Sequence, residues 1–112
     1  MQHLGIGFWL GKRRLRDPDK TAVVFDGQSL TYRQLADAAD RVAAVLWHRG
    51  IRKGDAVAYI GENSPQFLQV MFGAAQLGAV FVPVNTRLAA PEMRHVLADS
   101  GARALILDPE FL

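Results

Sequence analysis

Cysteine is absent from the 112-residue chain, which excludes disulfides and thiolate metal sites and leaves stability to burial alone. That usage suits the cytoplasm, the expected compartment. Long apolar runs are missing too: no stretch approaches the roughly 20 apolar residues of a membrane-spanning helix. The start lacks the succession of basic, apolar and small-residue regions that marks a secretory signal, and no apolar stretch follows the Arg13-Arg14 pair. Charge of one sign is scarce, at a net +2. It is unevenly placed: Met1 to Lys20 hold five basic and two acidic residues, and the remainder eight basic and nine acidic. A nucleic-acid partner is not expected, because nothing after Lys20 forms a basic stripe with interleaved aromatics.

Half of the residues are apolar and 21% are charged, the balance of a globular protein with a packed core. The length suits one unit. Residues 1–16 mix Leu4, Ile6, Phe8, Trp9, Leu10 and Leu15 with the basic cluster and are read as a short amphipathic helix. Asp17-Pro18-Asp19 breaks it. Thr21 to Phe25 and Gln28 to Thr31, joined by Asp26-Gly27, form a hairpin by turn chemistry. Thr31 and Gln34 have the spacing of a capping box. The helix they open carries Leu35, Ala39, Val42, Ala43 and Leu46 on one face and stops at Gly50.

Three short apolar runs follow, Ala56 to Ile60, Ala79 to Val82 and Ala104 to Leu107, which read as parallel strands buried on both faces. Between them, one helix opens at Ser64-Pro65 and closes at Gly78, with Phe67, Leu68, Met71, Phe72, Ala75 and Leu77 as its apolar face. A second opens at Pro91 and closes near Gly101, with Met93, Val96 and Leu97 turned inward. The expected fold class is therefore α/β: a β-hairpin plus a partial parallel sheet with crossover helices. Asp108 to Leu112 stand where a further helix would begin, which is read as a sign of an incomplete domain.

Four stretches carry a resemblance: "PDKTAVVF" at Pro18 to Phe25, "LTYRQL" at Leu30 to Leu35, "NSPQF" at Asn63 to Phe67, and "GAAQLGAVFVPVNTRLAAPEMRHVLADSGA" at Gly73 to Ala102. In order and spacing they resemble the early part of adenylate-forming, AMP-binding enzymes, and of fatty-acyl-CoA synthetases in particular. Residues 17–112 are family-like; residues 1–16 form a variable basic start. The resemblance implies the first part of a large N-terminal synthetase domain, and ATP-dependent joining of a carboxylic acid to coenzyme A through an acyl-adenylate. It also implies ATP, magnesium and coenzyme A for a full-length member. The family's phosphate loop, adenine and magnesium segments and C-terminal lysine have no counterpart in these 112 residues. No catalytic, cofactor-binding or metal-ligating residue is assigned, and the chain alone is expected to be inactive.

Two other classes stand beside this reading. One is a non-catalytic interaction module that forms a homo-oligomer through an uncovered sheet edge; the other is a small nucleotide-binding α/β domain, which lacks the required glycine-rich turn. Gly61, Gly73 and Gly78 are read as helix punctuation. Asp37 and Asp40, one turn apart, are read as a solvated pair. His3, His48 and His95 lie too far apart for a ligand set. Two places are candidates for contact. The loop Asn85-Thr86-Arg87 follows a strand, where open α/β sheets gather ligands. The cluster Phe8, Trp9, Lys12, Arg13, Arg14 and Arg16 combines aromatic bodies with cations, as peripheral membrane contact requires.

Overall fold

The computed structural model describes residues 6–62, 64–84 and 86–107. His3, Leu4, Asn63, Asn85 and residues 108–112, all named above, lie outside the described residues. In chain order the elements are α1 (Ile6–Arg16), β1 (Thr21–Phe25), β2 (Gln28–Thr31), α2 (Tyr32–His48), β3 (Ala56–Ile60), α3 (Pro65–Gln76), β4 (Val80–Val84), α4 (Ala90–Ser100) and β5 (Ala102–Leu107). The expected class stands: β1 and β2 pair antiparallel, and a separate parallel sheet has the order β4-β3-β5.

Local chemistry accounts for most boundaries. Asp26 and Gly27 both take positive φ, 50° and 79°, the geometry a two-residue hairpin turn needs to match strand twist. The capping box at α2 is formed: the Gln34 N–H donates to Thr31 Oγ1 at 3.1 Å and the Thr31 N–H to Gln34 Oε1 at 2.9 Å. At the other end the Ile51 N–H reaches the Leu46 carbonyl and the Gly50 N–H that of Trp47, both at 3.0 Å. This is a Schellman closure, with Gly50 at φ 91° and its apolar partners Ile51 and Leu46 buried together. α3 ends the same way: the Ala79 N–H bonds to Ala74 and that of Gly78 to Ala75, both at 3.1 Å.

The sheet is covered on both faces because its two crossovers run in opposite directions. From β3 the chain moves outward to β4, then returns across β3 to β5; with right-handed crossovers, that reversal puts the two helices on opposite faces. Val57 of β3 packs with Leu46, Ile51 and Ala74 on the α2–α3 side, while Ala58 and Ile60 pack with Met93, Val96 and Leu97 of α4. Leu10, Leu35, Ala36, Ala39 and Phe72 form a further core between α1, α2 and α3.

Several expectations need correction. Only β3 is buried throughout; β4 and β5 are edge strands, and Val80 and Leu105 are exposed. β4 starts one residue later than expected and runs on through Pro83 to Val84, which a strand tolerates at an edge where one row of N–H groups has no ladder partner. β5 begins two residues earlier, at Ala102. The deepest residues of α3 are Val70, Phe72, Gly73 and Ala74, because that helix is pressed between the sheet and α2 and has no single apolar face. Gly78 does punctuate a helix, with φ 70°. Gly73 instead lies within α3, where a Cβ would stand 2.7 Å from Val42 Cγ1 and 2.9 Å from the Ala39 carbonyl oxygen.

Candidate functional site

The carboxyl ends of β3 and β4 lie side by side, since Ile60 and Val84 are the last paired residues of the two strands. Beyond them the turn into α3 supplies Gly61 and Glu62, and the turn toward α4 supplies Thr86 and Arg87. Together they rim a cavity of about 420 Å³ whose apolar wall is Phe67, Pro83 and Val84. The Thr86 hydroxyl donates to Glu62 Oε1 at 3.2 Å, tying one turn to the other. Thr86 is half-buried, whereas Glu62 and Arg87 are exposed.

An aromatic cluster supports this wall from inside. Phe67 meets Tyr59 edge-on at 5.7 Å and Phe81 at 5.1 Å, arrangements that complement the ring quadrupoles. Tyr59 is fully buried and its ring runs beneath Gly61, where a Cβ would lie 2.6 Å from the tyrosine oxygen. Gly61 is thus a close-approach residue and not helix punctuation. Of the expected loop, Thr86 and Arg87 do line a cavity; Asn85 lies outside the described residues. Glu62 was not singled out from the sequence, and Gly61 and Phe67 were read there as helix punctuation and as part of an apolar helix face, not as cavity lining. Their spacing carries no motif, and only the pairing of β3 with β4 brings them to Thr86.

This rim offers one carboxylate, one guanidinium and one hydroxyl above an apolar wall, a set that can orient a ligand carrying polar or anionic groups. Among the described residues, no three His, Asp or Glu side chains converge to hold a metal ion. His48 and His95 are exposed on separate helices.

The basic cluster of α1 lies elsewhere, over α2 and α3, and it divides into two faces. Leu10 is buried, Trp9 stacks on Phe72 at 6.1 Å and meets Tyr32 edge-on at 6.0 Å, and the Arg13 guanidinium sits 4.8 Å from the Tyr32 ring centre. Arg14 donates to Asp37 at 2.9 Å and to Asp40 at 2.6 Å, while Asp40 also accepts from Gln76 of α3 at 2.9 Å. Asp37 and Asp40 are therefore not a merely solvated pair; they fasten α1 to α2. The hydrogen bond that Arg14 donates to Asp40 raises its pKa above the ordinary value; burial opposes the rise, and the bond to Asp37 adds to it. Phe8, Lys12 and Arg16 remain on the outer face.

The chain is similar to known proteins over most of its length. The model of the family described as "AMP-binding enzyme" matches residues 11–111. A feruloyl-CoA synthase of Amycolatopsis sp is 47% identical over 110 residues, covering 98% of this chain and 22% of that protein. The long-chain-fatty-acid–CoA ligase FadD13 of Mycobacterium tuberculosis is 46% identical over 103 residues, covering 90% of this chain and 20% of the ligase. Among solved structures, a fatty acyl CoA synthetase of Mycobacterium tuberculosis superposes with a TM-score of 0.86 at 45% identity, over 91% of this chain and 21% of that one. The chain spans about a fifth of the length of the curated relatives it matches.

Proposed function

Because the chain belongs to the AMP-binding enzyme family, we propose that it is the opening α/β section of an ATP-dependent acyl-CoA ligase. Such an enzyme joins a carboxylic acid to coenzyme A by way of an acyl-adenylate. In this reading the 112 residues supply scaffold and one wall of a ligand cavity, and the groups that handle phosphate come from other parts of the enzyme. The observation that carries it is the family match through 101 of the residues, 11–111, combined with a cavity at the carboxyl ends of parallel strands, where open α/β sheets bind ligands. Feruloyl-CoA synthase and the long-chain-fatty-acid ligase, the relatives named above, act by their names on different acids. We therefore assign the substrate class only as a carboxylic acid.

The role of each rim residue follows from its chemistry. Arg87 attracts an anionic part of a substrate, Glu62 holds the Thr86 hydroxyl and so the spacing of the two turns, and Phe67 packs against an apolar portion. Chemistry of this kind depends on positioning and on charge placed where charge develops. A chain with a wall and no phosphate cradle binds without turning over.

Two experiments test this. The purified chain, assayed for ATP–pyrophosphate exchange with ferulate and with fatty acids, should give no exchange above a mock preparation; clear exchange would place the chemistry inside these residues. Grafted in place of the matching segment of the Mycobacterium ligase, residues 11–107 should keep acyl-CoA formation within about tenfold of the parent, a loss of ~1.4 kcal/mol of transition-state stabilisation. In that graft Arg87→Gln should raise the KM of one anionic substrate about tenfold or more, the scale of one lost charged hydrogen bond. A folded but inactive graft would overturn the family-level reading, and an unchanged KM for every substrate would remove Arg87 from the site.

A further inference from the structure

The two faces of α1 have different partners. On its inner side Leu10, Arg13 and Arg14 are taken up by the hydrophobic core, by Tyr32 and Asp17, and by Asp37 and Asp40. On its outer side Phe8, Lys12, Leu15 and Arg16 follow one another at i, i+4, i+7 and i+8, a single helical stripe. Phe8 is 50% exposed, Leu15 84%, and Trp9 at the flank of the stripe 48%. Single exposed apolar residues are ordinary on a protein surface. Three of them within about two turns of an eleven-residue helix, with cations between, are not.

Charge indicates what would cover this face. No acidic residue lies in the first turn of α1, and three arginines lie in its last. Arg13 and Arg14 are compensated by aspartates, but among the described residues neither Lys12 nor Arg16 has a carboxylate partner. Lys12 stands 5.6 Å from the Phe8 ring centre, its ammonium held beside the apolar surface. We propose that this outer stripe of α1 lies on an anionic lipid surface, with Phe8 and Leu15 in the headgroup–acyl boundary and Lys12 and Arg16 reaching up to lipid phosphates. Long cationic side chains accommodate that arrangement by placing their stems along apolar surface and their heads in the polar layer. Because Leu10 and Arg14 already hold the helix to α2 and α3, the stripe is presented without α1 leaving the protein. Contact is with the interface only: no helix among the described residues is long and apolar enough to cross a membrane.

The proposal is independent of the ligase reading, so either can fail alone. The test is co-sedimentation of the 112-residue chain with vesicles of phosphatidylcholine and with vesicles that also contain phosphatidylserine. Binding should be confined to the anionic vesicles and should vanish at ~0.5 M salt, where screening acts within a few ångströms. Replacing Lys12 and Arg16 by glutamine should weaken it about thirtyfold, two cations at about fivefold each. Phe8→Ser with Leu15→Ser should abolish it while far-ultraviolet dichroism stays that of the parent. A gain is also expected: a Cβ at Gly11 would meet nothing within 4 Å, and the position borders the stripe, so Gly11→Leu should tighten binding about tenfold. Absence of pelleting with anionic vesicles at low salt, equal pelleting with neutral ones, or loss of less than twofold in the Lys12 and Arg16 double variant would overturn the proposal.

Discussion

α3 and α4 are both crossover helices, of 12 and 11 residues, and both pack on the same three-stranded sheet. Yet α3 buries four residues and α4 buries none. The sheet does not explain the difference, since Met93, Val96 and Leu97 of α4 do touch it. What α3 has in addition is a second layer: α2 lies across its outer side, brought within backbone contact at Gly73, and α1 covers part of both. One covered face leaves a crossover helix half-wet, and two make it core. The strands follow the same rule, with β3 enclosed and the edge strands β4 and β5 partly open.

The comparison can be broken most severely at Gly73. Adding one methyl group there drives it against Val42 and the Ala39 carbonyl, neither of which yields without moving a helix. Gly73→Ala should therefore cost ~2 to 3 kcal/mol, overriding the ~1 kcal/mol that alanine gains in a helix interior. Denaturant unfolding of the two proteins measures it; a stabilised variant would mean that the α2–α3 contact does not set the two regions apart.

A smaller effect concerns the caps. Thr31 has an oxygen that receives the Gln34 N–H, whereas Ala89, in the corresponding place before α4, has no side-chain acceptor. Thr31→Ala should cost about 1 kcal/mol, and Ala89→Ser should contribute roughly 0.5 to 1 kcal/mol. Hydrogen exchange should show the latter gain in the amides of α4, the half-wet helix, and little change in α3. Equal slowing in both helices would show that α4 does not open separately.

Smallest is the ionic fastening of α1. Arg14→Gln removes bonds to two carboxylates that are about half exposed, so solvent limits the loss to ~1 kcal/mol or less. Because the arginine's pKa is raised in the folded protein, its contribution is fully present below the ordinary arginine value and is lost only as pH rises through the raised one. The difference between wild type and variant should thus owe no slope to Arg14 between neutral pH and pH 9, and should shrink with added salt. A difference that grows with salt would point to packing and not charge.

Much of the fold was legible because its signals are local. The Asp26-Gly27 turn, the Thr31–Gln34 box and the stops at Gly50 and Gly78 each depend on residues a few positions apart, and the structure forms all of them. Of the site, the loop after β4 was legible, since a strand followed by polar residues marks the carboxyl edge of a sheet. Glu62 and Phe67 were not, nor was the pairing of Asp37 and Asp40 with Arg14. These partners lie 23 and 26 residues apart in sequence, and no periodicity within one helix reveals which neighbour it will face.

By itself, the sequence determined where the elements from β1 onward begin and end to within a residue or two, and that the three strands of the larger sheet run parallel. Caps, turns and apolar runs act over one or two turns of chain, and short strands joined by helices have few other arrangements. Tertiary structure alone decided which strand is central, that Gly73 must have no side chain, and that Tyr59 passes under Gly61. It also decided which cations of α1 turn inward and which stay free. The reason is that burial and charge pairing depend on surfaces meeting across the fold, and those meetings are set by how layers stack.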